Sequence, residues 1–134
     1  TTEIYTLSLH DALPISSFPA LPPQATARQA MDFLRQEAEN LDVIDYLYVA
    51  DEEEHLLGVI SLRDLLMASP QTQLSNMMDT RIVSVGLEEE KEEIAERFAK
   101  YGLKAIPVVD EENRIRGVIP FRSLLEVVAP ELGK

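Results

Sequence analysis

The chain of 134 residues contains no cysteine, only two histidines, and no apolar run near the roughly 20 residues that a membrane-spanning helix needs. The absence of cysteine excludes disulfides, thiolate metal sites and a thiol nucleophile. His10 and His55 are the two histidines, and neither G-x-S-x-G nor G-x-x-x-x-G-K-[ST] occurs. The sequence therefore predicts neither an enzyme nor direct insertion into a membrane.

Positive charge is also scarce, since 12 Lys and Arg stand against 24 Asp and Glu and give a net charge of −12. Acidic runs lie at 52–54 and 88–90. Such a surface repels nucleic-acid phosphates and anionic lipids, so no nucleic-acid partner is expected. Runs of this kind are typical of solvated loops and helix starts, and they also attract cations.

An internal repeat occupies the middle of the chain. Residues 48–66 (YVADEEEHLLGVISLRDLL) align without a gap on residues 107–125 (PVVDEENRIRGVIPFRSLL), and the two segments are identical at about half of the positions. Self-similarity of this kind indicates one supersecondary unit used twice.

Each copy predicts the order strand, helix, strand, strand, helix. β-Branched runs on both sides of the acidic turns DEEE and DEEN predict hairpins, and leucines at helical spacing follow each hairpin. Thr26 and Gln29 predict a capping box for the first helix of copy one, and Gly102 predicts a left-handed cap for the first helix of copy two. Short extended segments at 18–21 and 82–85 precede these helices.

This order, given twice, resembles the tandem CBS pair, an α/β (α+β) fold of two β-α-β-β-α repeats about a pseudo-two-fold axis. The segments IDYLYVADEEEHLLGVISLRDLLMASPQTQLSNMM and FAKYGLKAIPVVDEENRIRGVI resemble the cytosolic CBS pair of MgtE-type magnesium transporters. The resemblance implies a first CBS motif at 17–68, a connector at 69–78, a second motif at 79–129 and a tail at 130–134.

The same resemblance implies a cytoplasmic regulatory module that forms a homodimer through its CBS pairs and acts on a transporter membrane domain. Its ligand would be Mg²⁺, an adenine nucleotide (ATP, ADP or AMP), or both. The alternative is a non-catalytic dimerisation or interaction module with no small-molecule ligand.

Residues 1–16 (TTEIYTLSLHDALPIS) match nothing in this pattern and resemble a translated sequencing adaptor. They are predicted to be a non-native extension, with native sequence beginning near Ser17 and with the true upstream sequence missing. The alternative is a genuine amphipathic arm.

In CBS pairs the pattern Gly, apolar, any residue, Ser or Thr, two residues, Asp holds the ribose of a nucleotide, and by this resemblance the segment from Gly58 to Asp64 implies a nucleotide site. Gly58 ends a strand and lets the backbone approach a ligand closely, Ser61 starts a helix whose N–H groups suit phosphate, and the Asp64 carboxylate can accept from two ribose hydroxyls. Ser61 and Asp64 equally form a helix-capping pattern, S-x-x-D, so a structural role also explains them. In the second copy Pro120 and Ser123 replace these two residues, and at most one competent site is expected.

By resemblance, further residues would join this site. Tyr46 would pack against the base, although it equally suits core packing at a strand edge. The full predicted set for the nucleotide is Tyr46, Ser61, Arg63, Asp64, Leu103, Ala105 and Pro107.

A magnesium site is the other prediction from the resemblance, because hard cations bind carboxylates. Glu126 is the candidate ligand, with Asp79 and Glu131 as further carboxylates. The family usually has Asp at several positions that carry other residues here, namely Ser69, Lys100, Gly102 and Ser123.

Overall fold

A computed structural model describes residues 18–128, and their side chains as far as Leu125. Within this range the chain forms the following elements: β1 (Ala20–Leu21), α1 (Ala27–Glu37), a 3₁₀ turn (Ala38–Asn40), β2 (Tyr46–Ala50), β3 (Leu56–Ser61), α2 (Leu62–Met67), a 3₁₀ turn (Leu74–Asn76), β4 (Val85–Gly86), α3 (Lys91–Tyr101), β5 (Ala105–Val109), β6 (Ile115–Pro120) and α4 (Phe121–Val128). The predicted extension at 1–16 and tail at 130–134 lie outside the described residues.

Each repeat forms its own three-stranded sheet, in the orders β1-β2-β3 and β4-β5-β6. The first two strands of each sheet are parallel and the last two antiparallel. The registers also correspond, since Tyr46 pairs with Ser61 in the first sheet and Ala105 with Pro120 in the second. The ladder shifts at the same place in both hairpins, and this agreement confirms the predicted α+β fold of one unit used twice.

The helix ends follow the predicted capping chemistry. At the start of α1 the Thr26 N–H donates to Gln29 Oε1 at 2.8 Å, and the Gln29 N–H donates to Thr26 Oγ1 at 3.2 Å. At the end of α3 Gly102 has φ +60°, and its N–H donates to the Phe98 carbonyl at 2.9 Å. Both ends satisfy backbone groups that a helix leaves without partners.

Three apolar clusters hold the fold together. In each repeat one face of the sheet packs against that repeat's helices, with Leu47 and Val49 facing α1 and α2 in the first. Because successive strand residues point to opposite faces, Tyr48 belongs instead to a third cluster between the repeats. Its buried members are Val43, Tyr48, Leu56, Ala105, Ile115 and Val118.

The two hairpin turns also bond to each other. The Leu56 N–H donates to the Asn113 carbonyl, and the Ile115 N–H donates to the Glu54 carbonyl, both at 2.9 Å. Glu54 and Asn113 occupy the left-handed region at equivalent turn positions, with φ of 74° and 65°. The repeats are thus joined by a reciprocal pair of backbone hydrogen bonds.

The helices of residues 18–128 are short, and α1 and α3 have 11 residues each. None of these helices combines the length and the apolar character needed to cross a bilayer.

Candidate functional site

A cleft of about 220 Å³ opens where the two repeats meet the chain that links them. Three segments line it, from the first repeat, from 77–83 and from the second repeat. The lining residues are Tyr46, Tyr48, Val59, Ser61, Asp64, Met77, Asp79, Arg81, Ile82, Val83, Leu103, Ala105 and Pro107. The cleft therefore brings together every predicted nucleotide residue except Arg63.

The end of β3 positions the polar side of the cleft. Tyr46 and Ser61 are partners across the β2–β3 ladder, and α2 begins directly after Ser61. Ser61 Oγ accepts from the Asp64 N–H at 3.1 Å, so the capping interpretation holds for Ser61. The Asp64 side chain is exposed, and no described residue hydrogen-bonds to its carboxylate. That carboxylate is available to a ligand.

Tyr46 ties the first repeat to the segment across the cleft. The Lys104 N–H donates to the Tyr46 hydroxyl oxygen at 3.3 Å, and the Lys104 carbonyl accepts from the Phe121 N–H at 2.9 Å. Tyr46 is half-buried and also packs at the margin of the third cluster. Core packing and cleft lining, the two roles considered for Tyr46, therefore occur together.

The cleft is lined by a basic residue that was not predicted from the sequence. Arg63 lies exposed on α2 and is not among the lining residues, whereas Arg81 lines the cleft and its side chain is 93% exposed. Arg81 lies between the two aligned segments, 48–66 and 107–125, so the repeat does not point to it. The sequence feature that could have pointed to Arg81 is the Asp-x-Arg pattern of residues 79–81, directly after the connector.

Asp79, considered from sequence for Mg²⁺, lines this cleft. Its backbone forms a bridge with Val59 through hydrogen bonds of 2.9 and 3.0 Å, beside β3. Its carboxylate accepts from the Arg81 N–H at 2.9 Å. This bridge joins the 77–83 segment to the first repeat.

Gly58 has a different role from the predicted one. It lies inside β3 rather than at its end, and it faces the connector. A Cβ at Gly58 would lie 2.5 Å from Met78 Sδ and 2.8 Å from Met78 Cβ. The glycine thus makes room for the connector and not for a ligand.

Tyr48, which sequence reasoning missed, is fully buried against the cleft. No described residue hydrogen-bonds to its buried hydroxyl. Burial, with smaller contributions from Tyr46 and Asp45, raises the pKa of Tyr48 above its ordinary value. The hydroxyl consequently stays protonated.

The second repeat lacks the corresponding polar group. Pro120 and Ser123 stand at the positions of Ser61 and Asp64, and Ser123 is only 3% exposed on α4. The expectation of at most one competent nucleotide site stays a prediction.

The predicted magnesium ligand Glu126 has its side chain outside the described part of the structure. Among the side chains that are described, one group could hold a metal ion, formed by Asp51, Glu53 and His55 in the first hairpin turn. Asp51 Oδ1 accepts from the N–H groups of Glu53 and His55, and Oδ2 lies 3.0 Å from His55 Nδ1. The His55 side chain is 34% exposed. Asp51 thus organises the turn.

The sequence of this chain matches a known protein family in both repeats. A family model described as "CBS domain" matches residues 10–71 and 74–130. The first match begins inside the stretch predicted to be non-native. The pair architecture predicted from the sequence is thereby confirmed.

Magnesium transporters MgtE are among the curated relatives. The protein of Thermus thermophilus is 39% identical over 106 residues, which cover 79% of this chain and 24% of the relative. That of Enterococcus faecalis is 32% identical over 120 residues, or 90% of this chain and 26% of the relative. The chain thus spans about a quarter of the length of the curated relatives it matches.

A crystal structure of the cytosolic domain of the Mg²⁺ channel MgtE in complex with ATP matches with a TM-score of 0.86 and 32% identity. The match covers 94% of this chain and 52% of that structure. The described chain is therefore similar to the cytosolic CBS region of such transporters.

Proposed function

The chain belongs to the CBS domain family, and on that premise we propose that it is a non-catalytic regulatory module that binds an adenine nucleotide in the cleft beside Asp64. The observation that carries the proposal is the exposed Asp64 carboxylate, which has no described hydrogen-bonding partner and lies in a cleft between the two repeats. The ATP complex of a similar cytosolic domain supports it.

The lining residues suit the three parts of a nucleotide. The Asp64 carboxylate accepts from two ribose hydroxyls, as a bidentate acceptor can. Tyr46 and the apolar side chains of Ala105 and Pro107 offer flat surfaces to a base. Arg81 supplies a positive charge for phosphate on the exposed side of the cleft, with Arg63 as a second cation on α2.

Regulation would proceed by population shift. A ligand held by both repeats favours one relative arrangement of them, because it binds that arrangement more tightly than the others. In a cytoplasmic module of a magnesium transporter, the proposed target is the transporter's membrane domain. Mg²⁺, with Glu126 as a candidate ligand, is the second effector proposed for the same gating.

The alternative is a homodimerising interaction module without a small-molecule ligand. Its support is the exposure of large apolar side chains on the helices, with Leu66 62% and Met67 77% exposed on α2 and Phe121 41% exposed on α4. Such side chains, when clustered, are typical of protein contact surfaces. A homodimer formed through these helices is also compatible with nucleotide binding.

Isothermal titration calorimetry with ATP, ADP, AMP and Mg²⁺ tests the proposal. The wild type should give saturable heat with at least one nucleotide, and Asp64→Ala should weaken that binding about 10-fold or more because two hydrogen bonds to a charged acceptor are lost. The substitution keeps the backbone N–H that Ser61 caps, so the fold should survive.

Asp32→Ala is the matched control, since Asp32 is an exposed aspartate on α1 that does not line the cleft. It changes the net charge equally and should leave nucleotide affinity unchanged. Silence towards every nucleotide, together with a dimer in light scattering, would favour the interaction module instead.

A further inference from the structure

The first hairpin turn places an imidazole nitrogen beside two carboxylates. We propose that Asp51, Glu53 and His55 bind a first-row transition-metal dication such as Zn²⁺. Their ligand atoms all lie within 4.8 Å of one another. None of the three residues lines the cleft, so this site does not depend on the proposed nucleotide function.

The distances between the three ligand atoms suit one small ion. His55 Nδ1 lies 3.0 Å from Asp51 Oδ2 and 3.8 Å from Glu53 Oε1. Metal–ligand distances near those of Zn²⁺ put neighbouring ligands of one ion about 3.0–3.5 Å apart. The Glu53 side chain is 81% exposed, so it has room to close the remaining difference. All three side chains reach solvent, and water can complete the coordination.

Asp51 is oriented for this role by its own turn. Its Oδ1 accepts from the N–H groups of Glu53 and His55, at 2.9 and 2.8 Å, which leaves Oδ2 beside the imidazole. The hydrogen bond from the His55 N–H lowers the pKa of Asp51 more than desolvation raises it. The ligand oxygen is therefore charged at neutral pH and already directed, as outer hydrogen bonds direct the ligands of metal sites.

The second hairpin turn holds a cation at the equivalent place. There Asp110 and Glu112 have the positions of the two first-turn carboxylates, and Arg114 has that of His55. The Arg114 guanidinium contacts both carboxylates, with Nε 3.0 Å from Asp110 Oδ2 and Nη2 beside Glu112 Oε1. The backbone that both turns share thus directs two carboxylates towards one positive group.

The first turn lacks this built-in cation. Leu57 stands where the second turn has Arg116, and His55 is the basic residue that pairs with Asp51 and Glu53 among the residues described. An imidazole is positive only when protonated, whereas a guanidinium always is. With a neutral imidazole the turn offers two anionic oxygens and one nitrogen lone pair, which is the donor set of a metal ion.

The imidazole selects the kind of ion. Mg²⁺ takes oxygen ligands and gives up its water reluctantly, whereas imidazole combined with carboxylates suits Zn²⁺, Ni²⁺ or Cu²⁺. Binding needs the lone pair of His55 Nδ1, so the neutral ring must carry its proton on Nε2. The ion expected here therefore differs from the Mg²⁺ proposed with Glu126.

An ion in this turn would also stabilise the junction between the repeats. The Leu56 N–H donates to the Asn113 carbonyl and the Ile115 N–H to the Glu54 carbonyl, so the turn that holds the ion is bonded to the second repeat. A ligand that binds the folded chain stabilises it in proportion to its occupancy. Zn²⁺ should therefore raise the thermal midpoint of the wild type.

Calorimetry with ZnCl₂ tests the site on the whole chain. The wild type should bind one Zn²⁺ per chain, and His55→Ala and His55→Arg should each bind it about 10-fold or more weakly, since even outer-shell partners of a metal contribute that much. His55→Arg reproduces the second turn, so without metal its midpoint should equal or exceed that of the wild type. Its loss of binding would then not be a loss of folding.

Two variants serve as matched controls. His10→Ala removes the other histidine of the chain, and Asp64→Ala removes a carboxylate of the cleft. Both should bind Zn²⁺ as the wild type does, so failure of this proposal leaves the nucleotide function untouched.

Three outcomes would overturn the proposal. A wild type that binds no Zn²⁺ excludes the site, and binding that is unchanged in His55→Ala assigns the ion elsewhere. Displacement of Zn²⁺ by an equal concentration of Mg²⁺ would show an unselective acidic turn instead of a site built around the imidazole.

Discussion

Two aspartates at equivalent turn positions show how the repeats diverged in single residues. Asp51 and Asp110 each accept from two backbone N–H groups of their own hairpin turn. The side chain of Asp51 pairs with His55, whereas Asp110 Oδ2 accepts from Arg114 Nε at 3.0 Å and Arg116 Nε at 3.1 Å. The second turn therefore contains the stronger charge-assisted network.

The environment of Asp110 changes its pKa. Partial burial by itself would raise it, but hydrogen bonds from the N–H groups of Arg114 and Glu112 and from the guanidinium groups of Arg116 and Arg114 outweigh that effect and lower the pKa to about 2. A carboxyl whose pKa is lower in the folded than in the unfolded state stabilises the fold above the unfolded pKa. This stabilisation is lost as the pH falls from about 4 towards 2.

Asp110→Asn should therefore destabilise the protein at pH 7, by about 1–2 kcal/mol, because two guanidinium groups lose a charged acceptor. Between pH 4 and 2 the difference from the wild type should shrink. Urea unfolding across this pH range measures both effects. Asp51→Asn is the matched control and should cost less at pH 7, and an equal loss from both variants would contradict the assigned role of the arginines.

Among the elements, β3 and the connector depend on each other. Gly58 leaves the space that Met78 fills, and the next residues, Val59 and Asp79, are bonded backbone to backbone. The connector itself is anchored by Leu74, which is fully buried in the core of the first repeat. The segment between the repeats is thus a packed part of the first repeat that carries Asp79 and Arg81 to the cleft.

Gly58→Ala should destabilise the protein by about 1–3 kcal/mol, the usual cost of forcing an extra carbon into packed structure. It should also weaken nucleotide binding, because the connector must move and Arg81 with it. Gly86→Ala is the control, since nothing lies within 4 Å of a Cβ there and its stability should hardly change. Thermal unfolding and calorimetry provide the two readouts, and a fully stable Gly58→Ala with unchanged affinity would refute this account.

In the molecule as a whole, the two repeats are joined by a core cluster and by hydrogen bonds that need residues from both. The third cluster takes buried residues from both repeats, and the turns exchange two backbone hydrogen bonds. The Arg116 guanidinium adds an ion pair to Glu54 across the same junction, at 2.8 Å. We therefore expect residues 18–128 to unfold as one cooperative unit.

Val118→Ala tests this expectation, because Val118 is fully buried in the third cluster. The variant should lose roughly 1–3 kcal/mol, and the amide protection of β2 should fall by as much as that of β5 although Val118 belongs to the second repeat. Hydrogen exchange followed by mass spectrometry gives the protection of both strands. Leu66→Ala, at a side chain 62% exposed, is the control, and protection lost from β5 alone would show that the repeats unfold separately.

Local features of the fold could be predicted from the sequence because they depend on residues a few positions apart. The capping box of Thr26 and Gln29, the left-handed Gly102 and the paired hairpins all follow from short-range chemistry. The alignment of the two repeats then predicted the same order of strands and helices in both. Asp64 as the surviving acidic position also followed from that alignment.

The cleft, in contrast, depends on contacts between residues distant in sequence. Arg81 lines the cleft although the sequence did not point to it, Gly58 faces Met78, and the burial of the Tyr48 hydroxyl follows from the packing of β2 against the second repeat. The alternation of a strand shows that Tyr48 and Leu47 face opposite ways, but it does not show what lies opposite each face. Packing between the repeats settles that point, and the identity of the ligand contacts depends on it.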